Sequence, residues 1–338
     1  MDSVTQFALG AAIGELTLGR KIGRRAALWG GICGTLPDLD VFVPLGDPVS
    51  DFTYHRSVTH SVLVLAVAAP FIAELFRRIN SRRPDFRGRW HAMVFAVLLT
   101  HPLLDCFTVY GTQILWPLDK TPVSWSTIFI IDPAYTLPLI IGLLCAMIMQ
   151  RAKTTGHWVN TVGLILSTAY LGWSVAAKQQ VDTVARAALA KAGMPDAPFF
   201  TVPGPFTTLI WRIVAVDNES YHNGYYSLLD AKDAPLPFAA HPRRLNLEKG
   251  LEDDWALQRL QWFTHGFYKL KQSAGDVQFS DLRMGFEPNY VFTFKLGEIS
   301  NPHARPVTPP QRVPVGQDIS QLSWVWNRIW TSDVPPRP

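Results

Sequence analysis

The sequence predicts a membrane all-α bundle of about six apolar helices, some short or broken, followed by a small α+β soluble domain. Three observations carry this. Residues 1–178 hold almost all the long apolar runs, whereas 179–338 read as an ordinary soluble domain. Arginine and lysine cluster in alternate gaps between those runs. The chain of 338 residues is 48% hydrophobic and only 17% charged, with a mean hydropathy slightly above zero. That length suits two domains, and the hydropathy break near Lys178 sets their boundary. The expected division is a transmembrane domain over 1–178, a helical linker over 179–198, an α+β domain over 199–300, and a proline-rich tail with a tryptophan-rich amphipathic helix over 301–338.

Six apolar segments follow in order: 4–18, 26–43, 60–76, 91–108, 128–149 and 158–177. A bilayer core about 30 Å thick asks for about 20 helical residues, which only the last two supply comfortably. The others are expected to be tilted, shielded by neighbours, or broken where they line a polar cavity. An all-α soluble protein with unusually apolar helices is the alternative. Gly10 and Gly14 form a GxxxG pair, as do Gly30 and Gly34, and such spacings favour close helix packing. The three cysteines, Cys33, Cys106 and Cys145, are isolated and offer no disulfide framework. Met1-Asp2-Ser3 lacks the basic start of a signal peptide, so the first run is expected to stay in the mature protein.

The net charge of +4 comes partly from short basic loops. Arg20, Lys21, Arg24 and Arg25 separate segments one and two. Arg77, Arg78, Arg82, Arg83, Arg87 and Arg89 separate three and four, and Arg151 and Lys153 separate five and six. Beside membrane spans such loops set orientation rather than bind nucleic acid. They place both chain ends and the C-terminal domain on the non-cytoplasmic side. Lys178 and Arg186 point the other way and are outnumbered.

Ionisable groups in apolar segments are costly and mark function by default. On the expected topology Asp38, Asp40, His55, His60, His101, Asp105 and Asp132 all fall toward the non-cytoplasmic face, level with Asp2 and Gln6. His101 and Asp105 are four apart, about 40° around one helix face, and suit a divalent metal or a hydrogen-bonded interface pair. Asp38 and Asp40 cannot share a regular helical face, but a break after Pro37 could turn both, or leave one as ligand and the other in support. Helix capping is their bland reading. His55 and His60 would lie about 140° apart on a continuous helix, yet converge if the helix begins near Ser57. Thr59 and Ser61 offer hydroxyls for support or capping. Arg56 could receive a phosphate or carboxylate, or simply pair with Asp51. Asp132-Pro133 reads as an N-cap with proline at N1, or as a carboxylate holding a ligand. Glu74 is three and four residues before Arg77 and Arg78, a surface salt-bridge spacing. No P-loop, GxGxxG, GxSxG or HExxH is present.

Several stretches together resemble the YdjM-like family of inner-membrane-associated, metal-dependent hydrolases. They are Met1–Gln6, Gly10–Glu15, Gly34–Asp40, His55–Ser61, Thr100–Asp105, Tyr110–Gln113 and Asp132-Pro133, and the likeness covers about residues 1–178. The resemblance implies a bacterial inner-membrane protein with a hydrolytic metal site, and a LexA-type protein partner. Many members carry Thr-His where this chain has Thr5-Gln6, and glycine where it has Ser57.

In the soluble half, a helical stretch over 179–192 precedes strand-like runs at 207–216, 221–229, 276–284 and 290–296. Asp217–Ser220 is placed to turn a hairpin, and 251–267 reads as a helix. Residues 300–316 are proline-rich. Ile319–Trp330 is amphipathic, its tryptophans fitting either a membrane interface or the domain core.

The expected function is a metal-dependent hydrolase, zinc being the first choice of ion, acting on a phosphoester or lipid-linked substrate. The metal lowers the pKa of a bound water and polarises the scissile group. Asp38, Asp40, His55, His60, His101 and Asp105 supply ligands or the general base. Arg56 and Asp132 assist, and membrane lipid is the surrounding partner. The rivals are a metal-binding transporter and a regulatory protein whose partner docks on the C-terminal domain. Direct nucleic-acid binding is not expected.

Overall fold

A computed structural model describes the chain except for residues 81–85, 150–152, 232–233, 301–302, 317–319 and 333–338. Arg82, Arg83 and Arg151 of the basic loops lie outside the described residues, as does the Ile319 start of the tail helix. Two compact units form: Met1–Val43 with Arg56–Ser174, and Pro44–His55 with Val175–Pro338.

The first unit is helical. Helix α1 (Ser3–Gly14) is capped by Asp2, whose carboxylate accepts from the Val4 and Thr5 amides. A π-turn at Glu15–Gly19 and the short α2 (Arg20–Ile22) lead to α3 (Arg25–Thr35). Helices α1 and α3 pack through their glycines. A Cβ placed on Gly10 would lie 2.3 Å from the Gly30 carbonyl oxygen, so only hydrogen fits there. A 3-10 turn, Pro37–Phe42, follows. The chain then leaves this unit and returns at Arg56. A second 3-10 turn, Val58–His60, leads into α5 (Val62–Ile79), which pairs with α6 (Arg87–Cys106). Helix α7 (Pro133–Ile148) and the first part of α8 (Lys153–Lys191) complete the unit. Glu74 bonds Arg77 and Arg78 at 2.8 Å, as the spacing predicts, and all three cysteines are free.

Apolar side chains face outward in stripes. On α5 they are Leu63, Val67, Phe71, Leu75 and Ile79, and on α7 Leu137, Ile141, Leu144 and Ile148. Such stripes suit an apolar surrounding. Six separate spans, however, do not emerge. Among the described helices, Thr154–Lys191, of 38 residues, is long and apolar enough to cross a membrane, an 18-residue stretch of it having a mean hydropathy of 1.3. The bent pair Pro48–His60 with Val62–Ile79 makes a second if counted as one span. Helices α1 and α3, of 12 and 11 residues, reach only about 18 Å against the about 30 Å of a bilayer core.

The second unit is built on sheets. The buried row Ala177, Val181 and Ala185 of α8 packs with Trp211 and Ile213. One antiparallel sheet runs in the order β1 (Phe199–Pro203), β2 (Ile210–Val216), β3 (Ser220–Ser227), β4 (Ala239–Pro242). The β2–β3 hairpin turns at Asp217, whose carboxylate accepts from the Glu219 and Ser220 amides. Helix α9 (Trp255–Phe263), capped by Asp254, stops short of the expected 267 because His265 and Gly266 take positive φ. A second sheet contains β5 (Tyr268–Ser273) and β6 (Asp276–Asp281), with the small ribbon β7 (Gly285–Phe286) and β8 (Asn289–Tyr290) beside them in the chain. Its other strands are β9 (Thr293–Ser300) and β10 (His303–Arg312), giving the order β10-β9-β6-β5. The expected proline-rich tail thus supplies a strand. It is an edge strand, where proline's missing N–H costs no ladder bond, and its register shifts between Pro306 and Gln311. The amphipathic α10 (Ser320–Trp330) closes the chain. Pro44–His55 belongs here because α4 (Pro48–Tyr54) puts Phe52 against Phe263, Phe292 and Phe294 at 4.2–5.4 Å. The architecture is a helical region followed by a β-sheet domain.

Candidate metal centre

Four side chains converge in the first unit: Asp38, His60, His101 and Asp105. His101 and Asp105 project from one face of α6, as their spacing requires. Asp38 comes from the 3-10 turn after Pro37, and His60 ends the turn before α5. His60 Nε2 lies 3.1 Å from His101 Nε2, 3.3 Å from Asp38 Oδ1 and 3.3 Å from Asp105 Oδ2. His101 Nε2 lies 3.4 Å and 3.5 Å from the same two oxygens.

The hydrogens of both rings are committed elsewhere. His101 Nδ1 stands 2.7 Å from the Gly34 carbonyl oxygen, which only accepts, so Nδ1 carries a proton and, in the neutral ring, Nε2 a lone pair. Thr59 Oγ1 donates to Asp40 Oδ2 at 2.7 Å. It therefore accepts from His60 Nδ1 at 3.0 Å, so that in the neutral ring His60 Nε2 is an acceptor as well. Asp105 Oδ2, which faces the cluster, is buried without a hydrogen-bond donor, and so is Asp38 Oδ2, the partner of the cluster-facing Oδ1. Lone pairs facing lone pairs at such distances repel unless a metal cation or an added proton lies between them. Five of the six separations among these atoms are 3.1–3.5 Å, the spacing of ligand atoms that each lie about 2.0 Å from one tetrahedral ion, as zinc does from imidazole and carboxylate. The donors present fit a divalent ion.

Surrounding groups fix this arrangement. Asp105 Oδ1, turned from the cluster, takes bonds from Gln6 Nε2 at 3.1 Å and from the Met1 amino group, and Arg56 Nη2 lies 3.4 Å away. Arg56 is buried, donates to Thr108 at 3.1 Å and lies over the Tyr110 ring, while its Nε–H meets no acceptor. Its φ of 62° is the left-handed region, a strain that tertiary contacts must hold. Asp38 keeps 16% of its side chain exposed, which gives the cluster one open flank.

The other sequence candidates have different places. Asp40 is one step out, bonded to Thr59 and to the Arg56 amide at 3.3 Å. A 3-10 turn sets successive residues about 120° apart, so Asp38 and Asp40 face different ways. His55 is not in the converging group. It closes α4 in the second unit, and α5 begins at Val62 rather than near Ser57. Arg56 pairs with Asp105, and Asp51 accepts instead from the Leu45 amide. Asp132 caps α7 through the Ala134 amide and accepts from the Tyr170 hydroxyl at 2.9 Å. Sequence reasoning did not find the Gly34 carbonyl, the Met1 amine, Thr108 or the Gln6 contact. A backbone acceptor has no residue-type signature, nothing in the spacing marked the Met1 amine or Thr108, and Gln6 was placed at the right level but not given this contact.

Among curated proteins, YfhP of Bacillus subtilis (strain 168), itself described as uncharacterized, is 33% identical over 143 residues. That similarity takes in 39% of this chain and 42% of the relative, so the match spans about two fifths of YfhP. No solved structure matches. The YdjM inner membrane protein family matches residues 1–181, more than half of the chain and the whole of the candidate centre, and the chain belongs to that family.

Proposed function

We propose that this chain is a membrane-embedded, metal-dependent hydrolase that acts on a phosphoester or lipid-linked substrate at the non-cytoplasmic face, its apolar helices crossing the bilayer more than once. The carrying observation is the meeting of four potential ligand atoms, with an Nδ1–H of each ring bonded outside the cluster. Asp38, His60, His101 and Asp105 would hold the ion. Zinc suits the distances, and an N₂O₂ set without cysteine is closer to catalytic than to structural zinc sites. When bound, the ion supplies Lewis acidity and lowers the pKa of water. Asp40 positions His60 through Thr59. Arg56, with one buried N–H to spare, orients the substrate's anionic group. Asp38's exposed flank is the approach for substrate. Any protein partner, of the LexA type or another, is assigned to the second unit rather than to this centre.

One observation favours a second reading. Four protein donors already fill a tetrahedral shell, as in structural or purely metal-binding sites. Metal analysis of purified protein, combined with hydrolysis of p-nitrophenyl phosphate esters and phospholipids, separates the two. Wild type should hold one ion per chain and cleave an ester, and His101→Ala and Asp38→Ala should lose both. Full occupancy in both variants sinks the site. Occupancy lost from the variants, with no ester cleaved by wild type, leaves the non-catalytic reading standing.

A further inference from the structure

Helix α10 has apolar side chains on two faces, and the second unit covers one. Val325 and Ile329 are buried with Ile210. Arg328 is bonded to Asp230 at 2.7 Å, and the Ile329 carbonyl accepts from Ser227. The other face carries Leu322, Trp326 and Trp330, which are 40%, 61% and 59% exposed and four residues apart, so they form one stripe. A helix docked on a soluble core turns polar groups outward. This one exposes Ser323 and Asn327 as well, but beside them it also exposes two tryptophans. Phe206, in the turn before β2, and Leu229, just after β3, extend the exposed apolar surface.

The position of the stripe follows from α8 and β1. Arg186 lies over the Phe199 ring at 5.9 Å, while Lys178 bonds the Thr201 carbonyl at 3.0 Å. Strand β1 therefore runs opposite to α8, and its Pro203 end points toward the Val175 end of the helix. There Gly204 bonds the Ile210 carbonyl at 2.7 Å, and a Cβ on Gly204 would lie 3.7 Å from Val325. Helix α10 thus sits at the end of the sheet where α8 arrives. Along α8 the outward apolar side chains are Trp158, Val162, Ile165, Leu166, Trp173 and Val175, with no large one exposed among the later residues of the helix. Val175, the last of these and the one that belongs to the second unit, marks the end of α8 toward which Pro203 and α10 are turned.

We propose that the outer face of α10 is a membrane-interface anchor, with Leu322, Trp326 and Trp330, joined by Phe206 and Leu229, seated in the headgroup region of the leaflet from which α8 emerges. Tryptophan combines an apolar ring with a donor that prefers that boundary. The tether through α8 keeps the bilayer at high effective concentration, so no strong affinity is needed.

Nitroxide labels on full-length Trp326→Cys and Trp330→Cys protein, with Cys145 replaced by serine, in phosphatidylethanolamine–phosphatidylglycerol nanodiscs test this. Lys191→Cys, 16 residues beyond Val175 and so about 24 Å further along α8, is the aqueous control. Collisions with oxygen relative to a nickel chelate should be several-fold higher at 326 and 330 than at 191. A label on Leu322→Cys should lose that protection when Trp326 and Trp330 are both replaced by glutamate. Chelate access at 326 and 330 equal to that at 191 overturns the proposal. So does an unchanged Leu322→Cys label in the double variant, and so does dipolar broadening between chains, which assigns the stripe to a second copy.

Discussion

Two buried polar groupings invite comparison, the four-donor cluster of the first unit and the Arg212 network of the second. Arg212 is fully enclosed. Its Nε and Nη2 donate to Asn223 Oδ1, its Nη1 to the Leu282 and Gly285 carbonyls at 2.8 and 2.9 Å, and Nη2 also reaches the Tyr290 hydroxyl. Every donor meets an acceptor, so the network is complete within the protein. In the cluster, acceptors meet acceptors. A buried polar group that satisfies itself stabilises a fold, whereas one that converges without hydrogens is built around something else.

Chelation should break the comparison most visibly. A ligand bound only by the folded state stabilises by about 4 kcal/mol when its free concentration is a thousand times Kd. Stripping the ion should therefore raise amide exchange in residues 34–42, 58–62 and 98–106 and leave 210–227 unchanged. Equal exchange in the first group with and without chelator would mean that protons on the histidines, not a metal, fill the cluster.

Arg212→Leu tests the other side. It orphans at least three acceptors at about 1–3 kcal/mol each, so the second unit should lose about 3 kcal/mol or more. Metal content should stay at the wild-type level. A metal loss equal to that of His101→Ala would show the two groupings to be coupled.

Legibility in the sequence divides along the same line as distance in the chain. His101–Asp105 was readable because a four-residue spacing on a helix is local geometry, and Asp217 announced its hairpin for the same reason. The glycine pairs of α1 and α3 were readable as close packing. His55 was not placeable, since α4 departs with Phe52 into a cluster supplied by Phe263, Phe292 and Phe294, more than two hundred residues on. Strand β10 was hidden by prolines that an edge tolerates. The hydropathy runs fixed where the helices lie but not how many cross a bilayer, because α1 and α3 are shorter than the runs they overlap.

Thr59→Val sharpens the comparison from within the cluster. It removes the hydroxyl that joins Asp40 to His60 Nδ1 while keeping shape. Loss of such an outer partner weakens metal binding by about 10–100-fold, or about 1.4–2.7 kcal/mol. Competition titration against a fluorescent zinc chelator reads this. An unchanged affinity would show that Asp40 plays no part in orienting the ring.

The smallest effect concerns Glu287, beside the Arg212 network. Burial alone would raise its carboxyl, but the Lys269 ammonium at 2.7 Å and the Tyr221 hydroxyl outweigh burial and hold it below the ordinary 4.5. A carboxyl lowered in the folded state contributes stability that is present above its unfolded value and is lost as the pH falls through the folded one. Wild-type protein should therefore lose part of its near-ultraviolet aromatic melting temperature as the pH drops below about 4.5. Glu287→Gln should be less stable at neutral pH and flatter across that window. The side chain is partly exposed, so solvent screening keeps the difference to about 1 kcal/mol or less. The cluster should answer the same acid step by releasing its metal, because protons compete directly for the Nε2 and carboxylate lone pairs. If the melt of Glu287→Gln instead follows the wild-type curve at every pH, acid acts on the second unit elsewhere than at the Lys269–Glu287 pair.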